Sequence, residues 1–122
     1  MRLSRSGEII KVSRDADLYM EWVHTADGPG RIGTRAEILA ILPAHFHDEC
    51  PSCQCNSAEA RMARADETGS DFRGDHATVW DDNGLVVEGR WWLPRENFEA
   101  FARATLVRDG VAIRAQFTEP DN

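Results

Sequence analysis

Residues 75–107, DHATVWDDNGLVVEGRWWLPRENFEAFARATLV, constrain the fold more than any other stretch of the chain. Asn83-Gly84 lies between two β-rich runs, and both residues tolerate the positive φ that a two-residue hairpin turn requires. Counting outward from that turn pairs Asp82 with Leu85, Trp80 with Val87, Thr78 with Gly89 and His76 with Trp91, on one core-facing side. The other side carries Ala77, Val79, Asp81, Val86, Glu88, Arg90 and Trp92. Adjacent Trp91 and Trp92 must point in opposite directions, Trp91 inward and Trp92 outward. A face holding Trp92 and Val86 beside Glu88 and Arg90 is too polar for a core and too aromatic for bare solvent. These four residues form the candidate interface, because Trp and Arg are enriched at binding hot spots. Either a second copy of the chain, another protein or segment 56–72 is expected to cover them. Pro94 then suits the first turn of a helix, and Phe98, Phe101, Ala102 and Thr105 follow at helical spacing until Asp109-Gly110.

The earlier part of the chain repeats this order. Glu8 to Val12 and Leu18 to His24 are β-rich and flank a turn-forming Arg14-Asp15-Ala16-Asp17, which makes a first hairpin with Leu18, Met20 and Trp22 facing inward. Residues 27–33, DGPGRIG, form the expected loop. Thr34 and Glu37 have capping-box spacing, and Ile38, Ile41 and Leu42 give that helix an apolar stripe up to Pro43. A third, weaker helix is expected from Asn56 to about Glu67, with Phe72 anchoring the linker after it. Val111 to Phe117 alternate apolar and polar, which predicts a fifth strand. The fold expected is α+β: a mainly antiparallel sheet of about five strands, two amphipathic helices on one face, and a third short helix next to a Cys/His-rich loop. All of it belongs to one domain, 1–122, with residues 43–75 inserted between two hairpin–helix units.

Charge and composition narrow the partners. The 122 residues carry 21 acids against 14 bases, a net charge of −7, which opposes binding to a phosphate backbone. Nucleic acid is therefore an unfavoured partner. No apolar run reaches the roughly 18 residues of a membrane span, and the N-terminus lacks the apolar core of an export signal. Three clustered cysteines, an odd number, do not resemble the spaced, even set of a secreted disulfide framework. The expected compartment is the reducing cytoplasm. Lys11 is the sole lysine beside thirteen arginines, a bias that points to a GC-rich genome.

The densest chemistry lies in PAHFHDECPSCQCN. His45, His47, Cys50, Cys53 and Cys55 fall within eleven positions. Cys50 and Cys53 have the spacing with which two thiolates grip one tetrahedral zinc ion, and His45 or His47 with Cys55 could complete the set. Structural zinc ordinarily draws its second ligand pair from a distant element, so the other reading is a solvated loop with small, semi-buried cysteines. Cys50-Pro51-Ser52-Cys53 resembles the redox pattern of thioredoxin-like proteins such as glutaredoxins. That family sets the pair between a strand and a helix N-terminus, whereas here it follows a polar His-Asp-Glu run. His76 and the Gly28-Pro29-Gly30-Arg31 loop are the remaining candidates, as an acid–base group and an anion site, each with a plain packing or turn role as the alternative. No nucleophile elbow, phosphate loop or dinucleotide fingerprint occurs. The expectation is a small, soluble, non-catalytic interaction protein, of the kind a phage or mobile element of a GC-rich actinobacterium encodes. The alternative is a zinc-stapled metalloprotein, or a metal-dependent enzyme, built on residues 45–55.

Overall fold

The computed structural model describes residues 7–42 and 57–118. A three-stranded antiparallel sheet, β1 (Glu8–Lys11), β2 (Tyr19–Val23) and β3 (Gly28–Gly33), runs through the middle with β2 at its centre. Successive side chains alternate between faces, so Tyr19 and Ile9 leave one side of this sheet while Met20, Trp22 and Ile10 leave the other. Both sides are covered. Ile9 and Tyr19 pack with Ile38 of α1 (Arg35–Ile41) and with Met62 and Ala65 of α2 (Ala58–Thr68). Met20, Trp22 and Ile10 pack with Val87 and Leu93 of a second hairpin and with Phe98 and Phe101 of α3 (Phe98–Leu106).

The class is α+β, but the five strands form two sheets rather than one. The second is a hairpin of β4 (Gly84–Val87) and β5 (Trp91–Pro94). Its turn is Glu88-Gly89, with φ of 56° and 71°, closed by the Arg90 N–H on the Val87 carbonyl at 3.1 Å. The expected Asn83-Gly84 turn is absent: Gly84 opens β4, where a Cβ would lie 2.2 Å from the Leu93 carbonyl oxygen. Tertiary bonds claim the residues that would have been its first strand. Thr78 is bound to Glu8, the Trp80 indole N–H donates to the Glu67 carbonyl, and residues 74–76 form a 3-10 turn that leaves His76 exposed. The observed pairs are Leu85 with Leu93, Val86 with Trp92 and Val87 with Trp91, so His76 does not oppose Trp91.

Three further expectations change. Residues 28–33 pair as edge strand β3 instead of looping; Pro29 costs little at an edge, and Gly30 lets Glu21 lie close across the pair. Residues 110–115 are a helix, α4 (Gly110–Ala115), rather than a strand, because Asp109 caps it by accepting from the Ala112 N–H. Ile113 and Phe117, four residues apart, then both pack on the core. Finally, α1 and α3 lie on opposite faces of the central sheet, not on one.

The Thr34–Glu37 capping box forms as expected. α2 starts from Ser57 as N-cap, one residue after Asn56, and ends at Gly69 in the left-handed region. It does not pack weakly: Met62 and Ala65 are fully buried, and Arg61 is buried with them. Segment 69–71 adds to the free edge of β1 through Lys11 N–H to Gly69 O and Asp71 N–H to Ile9 O, both at 3.0 Å. Among the described residues no helix is long and apolar enough to cross a membrane.

Candidate functional site

Two places combine chemistry with access. The first is built under the exposed end of β1 and β2. Glu8 is fully buried, with 0% exposure, yet no guanidinium or ammonium lies within ion-pair distance of it among the described residues; the nearby Arg95 guanidinium acts on it only through space. Its carboxylate is held by hydrogen bonds instead. Oε2 accepts from the Ser70 hydroxyl and from the Thr78 N–H at 2.7 Å; Oε1 accepts from the Thr78 hydroxyl at 3.0 Å and meets His24 Nε2 at 2.7 Å. A buried carboxylate is tolerable only when donors replace its hydration, and here both oxygens have two. Beside it, Arg61 and Asp71 form a buried ion pair at 2.6 Å, and Asp71 also accepts from the Ile9 N–H at 2.7 Å. Burial pushes the Asp71 carboxyl above its ordinary range, against the pull of Arg61.

His24 connects this network to solvent. Its side chain is 45% exposed, and its ring stacks on Phe72 with centroids 6.0 Å apart and planes at 26°. The two rings, with Gly7, Val23 and His76, line a cavity of about 510 Å³. Glu21 lines it too, but its carboxylate already accepts from the Gly7 and Arg31 N–H groups. Among the described residues no three His, Cys, Asp or Glu side chains form a group fit to hold a metal ion.

The second place is a groove of about 1040 Å³ between the β4–β5 hairpin and α3–α4. Trp91, Phe101, Ile113 and Phe117 form its floor. Trp91 stacks on Phe117 at 5.9 Å, and Phe117 tilts against Phe101 at 5.7 Å. Arg90 and Arg114 both lie over the Trp91 ring, at 4.9 and 5.2 Å. Arg108 lines the groove as well. Among the described residues none of these three arginines makes an ion pair. Val111 lines it too and stands 84% exposed.

The sequence-derived interface divides between two faces. Val86 and Trp92 are cross-strand neighbours on the outer face, Val86 43% exposed and Trp92 half-buried, and the Trp92 backbone exchanges two hydrogen bonds with Thr118. Glu88 and Arg90 sit in the turn, and Arg90 folds onto Trp91 on the inner side. The other sequence-derived set, His45, His47, Cys50, Cys53 and Cys55, lies outside the described residues. His24, Glu8 and Arg114 were missed. For Glu8 a signal existed: it shares strand parity with Ile10 and Val12, so a carboxylate stood where the pattern demanded an apolar side chain. No protein-family model matches the chain, and neither the curated proteins nor the solved structures give a significant match.

Proposed function

We propose that this chain is a non-catalytic interaction protein of the cytoplasm whose Trp91 groove takes an apolar segment of another protein flanked by carboxylates. The observation that carries this reading is the Trp91 ring with both Arg90 and Arg114 over it, neither arginine ion-paired among the described residues of a chain whose net charge is −7. An acidic protein gains little by leaving cations on an aromatic surface unless a carboxylate from outside meets them. The aromatic floor supplies apolar area, and the exposed Val111 extends it. Tryptophan with flanking arginine is also the composition of a hot spot, where truncation removes about 2 kcal/mol or more of binding.

The test is selection of peptides from a display library on the whole chain. Selected sequences are expected to place Asp or Glu beside Leu, Ile or Phe, and their binding should fall at least about tenfold with Trp91→Ala or Arg114→Glu. Enrichment of lysine-rich peptides, or binding indifferent to both variants, overturns the reading.

A second reading rests on spacing alone: zinc held by Cys50 and Cys53 with His45, His47 or Cys55. Elemental analysis of the purified chain should then give about one zinc per molecule, lost in Cys50→Ser or Cys53→Ser. Metal-free protein with three titratable thiols ends that reading.

A further inference from the structure

Resting on the reading just given, we propose that the Trp91 groove takes its guest as an amphipathic α-helix whose flank carries two carboxylates, one turn apart, toward Arg90 and Arg114. The first observation is the state of the backbone around the groove. A guest that docks in extended form pairs its peptide groups with an open strand edge. Beside Trp91 the outer edge of β5 is taken: the Trp92 N–H donates to the Thr118 carbonyl at 3.1 Å, and the Trp92 carbonyl accepts from the Thr118 N–H at 2.8 Å. Beside Val87 the Glu88 N–H donates to the Asp27 carbonyl at 2.7 Å. An extended segment laid on Trp91 would lose the water on its peptide groups without gaining partners, and each such group is costly to bury. A helix satisfies its own.

The second observation is the spacing of the floor. The Trp91 and Phe117 ring centres are 5.9 Å apart, and those of Phe117 and Phe101 are 5.7 Å apart. Residues i and i+4 of an α-helix share a face at an interval of about 6 Å along the axis, which matches. A polyproline helix returns to one face only every three residues, about 9 Å on. The interval on a strand, about 7 Å, lies closer, but that is the form the occupied edges exclude. Charge then sets the flank. Arg90 and Arg114 are exposed, with guanidinium carbons 4.9 and 5.2 Å from one ring centre, so no more than about 10 Å separates them. Glutamates at i and i+4 of a helix, with Cβ atoms about 6 Å apart, can meet both. Arg108 adds a third cation to the groove. Two carboxylates share the lining, Glu88 and Asp109, and Asp109 is already engaged as the cap of α4, so the balance stays cationic.

The probe is an alanine-rich peptide of about 16 residues, blocked at both ends, with Leu at i, i+3 and i+7 and Glu at i+4 and i+8. Mixed with the whole chain, it should bind with saturation and gain helical circular dichroism beyond that of the separate components. Binding should weaken at least about tenfold when a central alanine of the peptide becomes proline, which keeps every leucine and charge and only breaks the helix. Arg90→Glu with Arg114→Glu should weaken it at least as much. Exchanging both peptide glutamates for lysine should then restore binding, a rescue that a misfolded variant could not give. Proline tolerated without loss overturns the helical guest and leaves the acidic, apolar reading of the groove standing. Should this peptide fail while display-selected acidic peptides bind, their bound conformation decides: helical carbon chemical shifts sustain the proposal, and extended ones end it. Failure of every acidic peptide ends both. Self-association of the chain that is lost in Trp91→Ala would seat a second copy in the groove and end the proposal as well.

Discussion

The His24 cavity and the Trp91 groove sit on the same small chain and are built on opposite principles. Beside the cavity the buried carboxylate is satisfied from within: a histidine, a serine and a threonine converge on Glu8. In the groove the aromatic rings satisfy one another, and the cations above them are left without carboxylates among the described residues. The first arrangement is rigid, because loosening any partner of Glu8 exposes a buried charge. The second is adaptable, since long arginine side chains can follow a partner. The contrast teaches that the cavity should be inseparable from stability, while the rim of the groove should be separable from it.

The largest effect tests where the groove ends and the core begins. Phe101 is buried and shared by both, so Phe101→Ala should cost about 3–5 kcal/mol in denaturant unfolding and remove peptide binding as well. A Phe101→Ala protein of unaltered stability would mean that the groove floor is not part of the core. Next in size, Glu8→Ala leaves the Thr78 N–H and hydroxyl, the Ser70 hydroxyl and His24 Nε2 without their partner and should cost about 3 kcal/mol. Trp91→Ala removes a half-buried ring and should cost about 1–2 kcal/mol, less than Glu8→Ala although tryptophan is far larger. The reverse order, measured by urea midpoints, would break the comparison. Trp92→Ala, on the outer face beside Val86, should leave the fold intact; sedimentation of that variant reads whether this face joins two copies.

The smallest effect concerns pH. Hydrogen bonds from Arg103 and Ser13 hold the Glu99 carboxyl below its ordinary value. A depressed carboxyl stabilises the fold above its unfolded pKa, and that contribution disappears as pH falls through the lower, folded value. The pair is largely solvated, so Glu99→Gln should flatten the acid limb of the melting curve by only a few tenths of a kcal/mol.

What the sequence revealed, and what it hid, follows from the range of the forces involved. Alternation along a strand does not depend on where the turn falls, so Val87, Trp91 and Leu93 point inward and Val86 and Trp92 outward even though the turn lies at Glu88-Gly89. The capping box of α1 and the Phe98–Phe101–Ala102 stripe are local patterns, and they were legible for the same reason. The turn itself was not, because two Xaa-Gly pairs competed and the decision came from Glu67 and Glu8, both distant in sequence. Strand β3 was hidden by its glycines, whose role appears only once Glu21 lies across from Gly30. α4 was misread because seven residues can satisfy a period of two and an i, i+4 pair together, and only the Asp109 cap distinguishes them. The Glu8–His24 contact joins the first residue of β1 to the residue that follows β2, 16 positions on, and needed the register to be found.

Arg95 bears on the order in which the chain acquires its shape. Its guanidinium is packed over Phe98 and donates to the carbonyls of Lys11 and Val12, 84 and 83 positions earlier, to Gly69, 26 earlier, and to Val79, 16 earlier. Burial pushes this guanidinium down to about 10, still charged at neutral pH, so it cannot leave water until those distant carbonyls have assembled to receive it. Neither hairpin–helix half can then mature alone. The carbonyls that meet at Arg95 form one cooperative knot, and amide hydrogens in β1, at the end of α2 and in α3 should exchange with deuterium only through the same global opening.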